Sequence, residues 1–417
     1  MEALYRIKAP EMTHAPDARG EGHELPELRL KAREDRRLAA GHLWIFSNEV
    51  DTDRTPLSGF ATGALCRVVG DRDRFLGYAY VNPHALICAR ILSRDGRFPP
   101  GKSLFVHRLQ IALTLRERLY AQPFYRLAYG ESDGLPGLVL DRYGDVIVGQ
   151  IGTAGMEALK GELLAAIEKA VGPRCVIWKN DSGARELEGL PSYVETALGE
   201  PVDHAWVEEN GVRFRVPIGA GQKTGWFYDQ AANRHAFLKY VKGARVLDVF
   251  SYLGAWGLAA ARAGAHEVLC VDSSAPALEL LQESAAANDL EIRTQRGDAF
   301  DVLAALREAG EKFDVVVVDP PAFIKRRRDI PKGQAAYRKL NQLAMQLLPR
   351  DGILVSCSCS HHLAQDELID AVQQAARHLN RFAQVVEVGG HAPDHPLHPA
   401  IPETRYLKSL FCRVVQD

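Results

Sequence analysis

The stretch Phe313–Phe323, FDVVVVDPPAF, decides the fold of the chain's C-terminal half. The valines between Asp314 and Asp319 leave no polar face. A strand of that kind is buried on both sides, as in a parallel sheet covered by helices. Pro320 and Pro321 stop it and leave a rigid, exposed rim beyond Asp319. The pattern recurs on both sides. ARVLDVF (244–250), EVLCVD (267–272), IRTQRGD (292–298) and GILVSCS (352–358) read as further strands. Helical stretches lie between them, at Ala255–Ala263, Ala275–Asn288, Asp301–Ala309 and Gln334–Leu348. This βα alternation predicts an α/β, Rossmann-like domain. Its approach, residues 207–216, carries Asn210-Gly211 between alternating runs, the signature of a tight hairpin.

The N-terminal half reads differently. Residues 1–27 are polar with scattered Pro and Gly, and are expected to form a poorly ordered extension. LRL (28–30), LWIF (43–46), ALCRVV (64–69), RFLGYAYV (74–81) and ALICARIL (85–92) are short β-rich runs punctuated by Gly, Asp, Asn and Pro. They predict a small β-barrel over 28–97. Lys102 to Tyr120 has helical spacing, LVLDRYGDVIVGQI turns at Arg142–Asp145, Thr153 to Val171 reads as a second helix, and CVIW as another strand. Residues 98–203 are therefore expected to form a mixed α/β unit, and 204–417 the Rossmann-like domain with its leading hairpin.

Composition narrows the class. Of 417 residues 47% are hydrophobic and 25% charged, as in ordinary globular proteins. No apolar run reaches the ~18 residues that span a membrane, and no secretory leader is apparent. Seven cysteines without framework spacing imply free thiols and a reducing, cytoplasmic setting. A net charge of −2 gives no global signal for nucleic acid, but RLKAREDRR (29–37) and KRRR (325–328) are basic clusters.

In an open parallel sheet, ligands bind beyond the carboxyl ends of the strands. There the chain has DVFSYLGAWG (248–257), small residues at a turn but not GxGxxG, which argues against a dinucleotide. Asp272 suits ribose hydroxyls. Asp298 is placed to meet an adenine amino group. Asp319 leads the D-P-P rim. The last strand runs into SCSCSHH (356–362). Its cysteines could be metal ligands, small core residues, or include a nucleophile. Their one-residue spacer does not suit a structural zinc site, and no metal is expected.

Acids on strands two and three with D-P-P after strand four resemble the class I S-adenosylmethionine-dependent methyltransferases. The chain further resembles the RlmI-type family of large-subunit (23S) ribosomal RNA cytosine-C5 methyltransferases over about residues 28–417. The likeness rests on LRLKAREDRRLAAGHLWIFSNEV, GESDGLPGLVLDRYGD, GQKTGWFYDQAANR, LDVFSYLGAWG, VVVVDPPAF, the strand ending in SCS, Asp394–Pro396 and Tyr406–Lys408. It implies an N-terminal RNA-binding PUA domain, a central α/β domain, a C-terminal methyltransferase domain, S-adenosylmethionine as methyl donor, ribosomal RNA as partner, and a homodimer. It also implies that Gln222, Lys223, Thr224 and Gly225 help form the cofactor pocket, with Phe250, Ser251 and Gly254 around the methionine end. Asp272 would hold the ribose, Asp298 the adenine, and Asp319 would sit between cofactor and base. The catalytic thiol would be Cys359.

That chemistry needs a thiol. Carbon 5 of cytosine is a poor nucleophile, and a thiolate adding at C6 turns the ring into an enamine. Asp319 is the candidate to stabilise charge near N3 and N4. Cys357 shares a strand face with Ile353 and Val355 and is expected to be structural. Lys325, Arg326, Arg327 and Arg328 would bind phosphates beside the base entry, with Arg33, Arg36 and Arg37 on the PUA segment as further RNA contacts. Phe323 either stacks on an extruded base or packs against the strand end. Two other functions stay open: methylation of guanine or an exocyclic amine without a thiol, and a non-catalytic RNA-binding or ribosome-assembly role.

Overall fold

The computed structural model describes residues 25–416 except Ala220 and Gln222. The N-terminal extension therefore lies almost wholly outside the described residues.

Five short strands form the first sheet: β1 (Glu27–Arg29), β2 (Trp44–Phe46), β3 (Leu65–Val69), β4 (Phe75–Val81) and β5 (Ile87–Ser93), in the order β1-β3-β4-β5-β2. They close around a small core containing Leu28, Ile45, Cys66, Val68 and Ile91. The one-turn helix α1 (Arg36–Ala39) joins β1 to β2. All five β-rich runs of this region become strands.

The long helix α2 (Lys102–Leu119) leads to a second sheet of β6 (Phe124–Tyr129), β7 (Leu138–Tyr143), β8 (Val146–Ile151), β9 (Cys175–Asn180) and β10 (Tyr193–Leu198), in sequence order. The segment expected as one helix over 153–171 is two, α3 (Ala154–Ala158) and α4 (Lys160–Val171), with Leu159 between them. A hairpin follows, β11 (His204–Glu209) and β12 (Val212–Pro217). Asn210 and Gly211 both sit at positive φ, 51° and 73°, as a two-residue turn matching strand twist requires.

The last sheet has seven strands: β13 (Arg245–Val249), β14 (Glu267–Asp272), β15 (Arg293–Arg296), β16 (Val315–Val318), β17 (Asp351–Ser358), β18 (Phe382–Gly389) and β19 (Lys408–Val415). Their order is β15-β14-β13-β16-β17-β19-β18. The first five are parallel, and β19 runs antiparallel between β17 and β18. Helices α5 (Ala231–Phe237), α6 (Ala255–Arg262), α7 (Ala275–Ala287), α8 (Ala299–Glu308), α9 (Ile330–Gln346) and α10 (Gln365–His378) accompany it. Alternate residues of β13 and β16 enter two cores, one on each face: Val246, Val315 and Val317 in one, Leu247, Val316 and Val318 in the other. That division is why the four-valine run has no polar face.

Candidate active site

Strand order reverses between β13 and β16, the switch point beyond whose carboxyl ends an open α/β sheet places its ligand crevice. The β13–α6 loop lines it. Phe250 and Tyr252 hold left-handed backbone at φ 65° and 49°, a conformation costing about 1–3 kcal/mol each that persists only where surroundings fix it. The fixing bonds are Ser251 N–H to the Val271 carbonyl (3.0 Å), Gly254 N–H to the Ser251 carbonyl (2.7 Å) and Tyr252 N–H to Asp272 Oδ2 (2.8 Å). Gly254 turns the chain into α6 at φ 73°, and a Cβ there would lie 2.6 Å from Leu281.

Asp272 also accepts from Ser274 N–H (2.9 Å), so both its oxygens are anchored at the end of β14. Asp298 is exposed and caps α8, accepting from Phe300 N–H (2.9 Å) and Asp301 N–H (3.4 Å). Among the described residues, the buried Ser251 hydroxyl and Asp248 Oδ1 have no partner. Asp248 Oδ2 accepts from Gly257 N–H at 2.9 Å, and burial pushes this carboxyl up to about 7. Unpartnered polar atoms beside a tight glycine turn and a held carboxylate fit a polar, ribose-bearing ligand.

Lys223, Thr224 and Gly225 approach from the side, while Gln222 lies outside the described residues. Gly225 sits at φ 120°, where a Cβ would meet the Pro217 carbonyl at 2.6 Å. Its own carbonyl accepts from the Tyr252 hydroxyl (3.2 Å). The Thr224 hydroxyl donates to Asp141, whose carboxylate also takes the Arg126 guanidinium at 2.8 and 2.9 Å. Thr224 thus ties this loop to the central sheet rather than facing the crevice. The Lys223 ammonium lies 4.5 Å from the Phe227 ring centre and 4.0 Å from Asp229 Oδ2.

Asp319 ends β16. Both of its oxygens accept from the Gln230 amide (3.0 Å each), and Oδ2 also from the Trp256 indole N–H (3.3 Å). Gln230 is oriented in turn by Asn233 (2.6 Å). Burial, reinforced by Asp229 and opposed by these donors, pushes the Asp319 carboxyl up to about 6. Beyond the neighbouring strand end, Cys359 Sγ lies 3.9 Å from the Pro320 carbonyl. The two groups therefore share one rim. Of the seven cysteines Cys359 alone is partly open, the other six being buried. Cys357 is fully buried, its thiol 3.3 Å from the Ser409 hydroxyl on β19.

The serines flanking Cys359 are pinned from below. The Tyr337 hydroxyl on α9 lies 2.9 Å from both Ser358 Oγ and Ser360 Oγ, and Ser360 Oγ accepts from Ile324 N–H (3.2 Å). From the other side Lys408 donates to the carbonyls of Ser360 (2.5 Å) and Tyr406 (2.8 Å). Burial pushes the Cys359 thiol up; Lys223 and Lys408 oppose this while Asp319 and Asp229 add to it.

Sequence reasoning did not assign Asp229, Gln230, Trp256, Tyr337 or Lys408 to the site. Four of these lie inside stretches it quoted, GQKTGWFYDQAANR, LDVFSYLGAWG and YLK, where a polar or indole group beside apolar neighbours was the available signal. Tyr337 had none.

The basic residues divide. Lys325, Arg326, Arg327 and Arg328 are exposed directly after the rim and, among the described residues, form no ion pair. Arg33 and Arg36 are exposed as well. Arg37 is held: Nη2 reaches both Glu49 oxygens (2.7 and 2.8 Å) and the Trp44 carbonyl (3.1 Å), with the guanidinium 4.6 Å from the Phe46 ring centre. Phe323 is half-buried in an aromatic cluster, 4.9 Å from Tyr337, 6.2 Å from Phe300 and 6.4 Å from Phe250. The histidines near the C-terminus have protein partners: His391 Nε2 accepts from Leu407 N–H (3.2 Å), and His395 Nδ1 pairs with Asp394 (2.8 Å).

Comparison with known proteins fits this geometry. The PUA-like domain family matches residues 28–94, and the S-adenosylmethionine-dependent methyltransferase family matches 189–411. Relatives named ribosomal RNA large subunit methyltransferase I, from Photobacterium profundum and Aeromonas salmonicida, are each 37% identical over 393 residues, 92% of this chain and 98% of theirs. One from Salmonella arizonae is 35% identical over 399 residues, 94% of this chain and 98% of its own. Among solved structures, SMU.776, described as a methyltransferase and complexed with SAH, shares the fold with a TM-score of 0.79 at 19% identity, covering 93% of this chain and all of that one. A methyltransferase from Streptococcus mutans gives a TM-score of 0.77 at 20% identity over the same shares. The chain is thus a PUA-bearing, S-adenosylmethionine-dependent methyltransferase and belongs to the ribosomal RNA large subunit methyltransferase I family.

Proposed function

We propose that this enzyme methylates cytosine C5 in large-subunit ribosomal RNA through a transient thioether between Cys359 and C6. The observation that carries this reading is the position of Cys359, the one partly open thiol, on the same rim as Asp319. The names of the relatives support ribosomal RNA as substrate.

In this reading Asp272 holds the ribose and Asp298 the adenine, Lys223 and Gly225 help form the cofactor pocket, and Phe250, Ser251 and Gly254 surround the methionine end. Bound S-adenosylmethionine supplies an electrophilic methyl group. The Cys359 thiolate bonds to C6, which makes C5 nucleophilic; after C5 takes the methyl group, a water molecule accepts the C5 proton, and the electron pair left in the C–H bond restores the C5–C6 double bond and expels the thiolate. Asp319, titrating at about 6, lies close enough to neutrality to be protonated as charge builds near N3 and N4. A paired base must leave its stack to reach this rim, and the exposed Lys325–Arg328 run would hold the flanking phosphates.

The test is RNA substituted with 5-fluorocytosine, whose C5 fluorine blocks thiolate release. Incubated with the protein and methyl donor, it should give a cross-link mapping to Cys359. Cys359→Ser should lose the cross-link and methylation together. Undiminished methylation by that variant would refute the thiol route. Mass-spectrometric mapping of ribosomal RNA from cells lacking the protein would identify the nucleotide.

A further inference from the structure

Lys408 opens β19 opposite Ser358. Its side chain does not run to solvent: the residue is 5% exposed and its ammonium donates to the Ser360 and Tyr406 carbonyls. Ser358 and Ser360 bracket Cys359, so the lysine bridges the strand end that carries the thiol. Both carbonyls are neutral, and no carboxylate among the described residues pairs with this ammonium. A buried cation without an anionic partner is unfavourable unless a charge appears nearby.

We propose that Lys408 is a positioning residue for Cys359: clamped by two carbonyls over the strand end, its ammonium favours the thiolate form of the cysteine and fixes the strand end that presents it for attack. The charges around the thiol explain the need. Lys223, the larger attraction, acts on the anion from an exposed side chain; Asp319 and Asp229 repel it, and Lys408 attracts it from a buried one. The lysine's own neighbours agree. Burial pulls it down to about 8; Cys359 and Glu367 raise it, Arg405 lowers it, and it in turn lowers His361. Thiolate and ammonium each stabilise the other, so removing either should move the other's titration.

This rests on Cys359 as nucleophile, but the test does not use the methylation reaction. In the full-length protein, alkylation of Cys359 by iodoacetamide is followed by mass spectrometry as a function of pH. Lys408→Met should raise the midpoint by about one unit, the lower end for loss of a close opposite charge. Alkylation near neutrality should then fall about tenfold, since rate follows the thiolate fraction. Lys408→Arg should restore most of it. A lysine that only ties β19 to the strand end would change the melting temperature and leave the midpoint in place, and that result overturns the proposal. If Lys408→Met does not fold, carbon-13 NMR of ε-labelled lysine in Cys359→Ser gives the reciprocal reading. The Lys408 titration should move down; an unmoved titration overturns the proposal equally. A shifted midpoint without a 5-fluorocytosine cross-link would leave this inference standing and remove the cytosine mechanism.

Discussion

Cys357 and Cys359 are two residues apart, yet their surroundings are opposite. Cys357 is sealed within the sheet beside Ser409, and burial pushes its thiol well above the ordinary range. It has no route to a substrate. Cys357→Ala should therefore retain turnover and lose about 1 kcal/mol of stability, the size of one small buried deletion. A large fall in kcat with an unchanged melting temperature would show that both sulfurs take part. Asp248 offers a second test. Its folded carboxyl titrates at about 7 against an ordinary 3.8. Folding therefore favours the protonated form: the associated stability is complete below about pH 3.8 and is lost as pH rises through about 7. Asp248→Asn is neutral throughout and keeps an acceptor for Gly257 N–H. Relative to it, the wild type should lose stability between those pH values, by on the order of a few kcal/mol. Parallel denaturant titrations check this, and a constant difference across the window would show that Asp248 does not carry it.

The element that aims Cys359 is α9 rather than β17. Tyr337 reaches from that helix to the buried hydroxyls of Ser358 and Ser360, which otherwise meet only the backbone N–H groups of Ser360 and Ile324. Tyr337→Phe keeps the ring but takes the acceptor from the buried Ser358 O–H and a contact from Ser360, and should cost about 1–3 kcal/mol. It should also slow Cys359 alkylation without changing S-adenosylmethionine affinity, because the β13–α6 loop is untouched. Equal loss of both in calorimetry and alkylation would mean general loosening. Legibility in the sequence follows the same division. Parallel strands such as Val315–Val318 were readable because burial on both faces leaves continuous apolar runs. β18 was not, since Phe382, Val385, Val386 and Val388 are exposed and mixed with polar residues on an edge strand. β19 was missed despite a buried run, because its pairing is antiparallel and its partner β18 was unseen. Residues at strand ends were legible for the same reason the strands were. Tyr337, Gln230 and Lys408 converge on them from chain positions that only the packing brings together.

Across the whole molecule, charge is nearly balanced, so any grip on RNA has to be local. The basic residues along the chain differ in availability. Arg37 is consumed within the PUA-like sheet by Glu49 and Phe46, and Arg126 by Asp141 in the central sheet. Lys325, Arg326, Arg327 and Arg328 have no such partners among the described residues and follow the D-P-P rim, where an extruded base would enter. Each cation that neutralises a phosphate releases counterions, giving a slope of about −0.7 in log K against log salt per contact on single strands. Replacing all four with Ala should flatten that slope by up to about 3 units and weaken binding most at low salt. Because these side chains are exposed and lie outside both cores, the melting temperature should stay within a few degrees. Methylation at saturating RNA should persist, since Cys359 and Asp319 keep their partners. Filter binding across a salt series, run beside single-turnover methylation, checks both halves. An unchanged slope would move the phosphate grip to another face, with the exposed Arg33 and Arg36 as the next residues to replace.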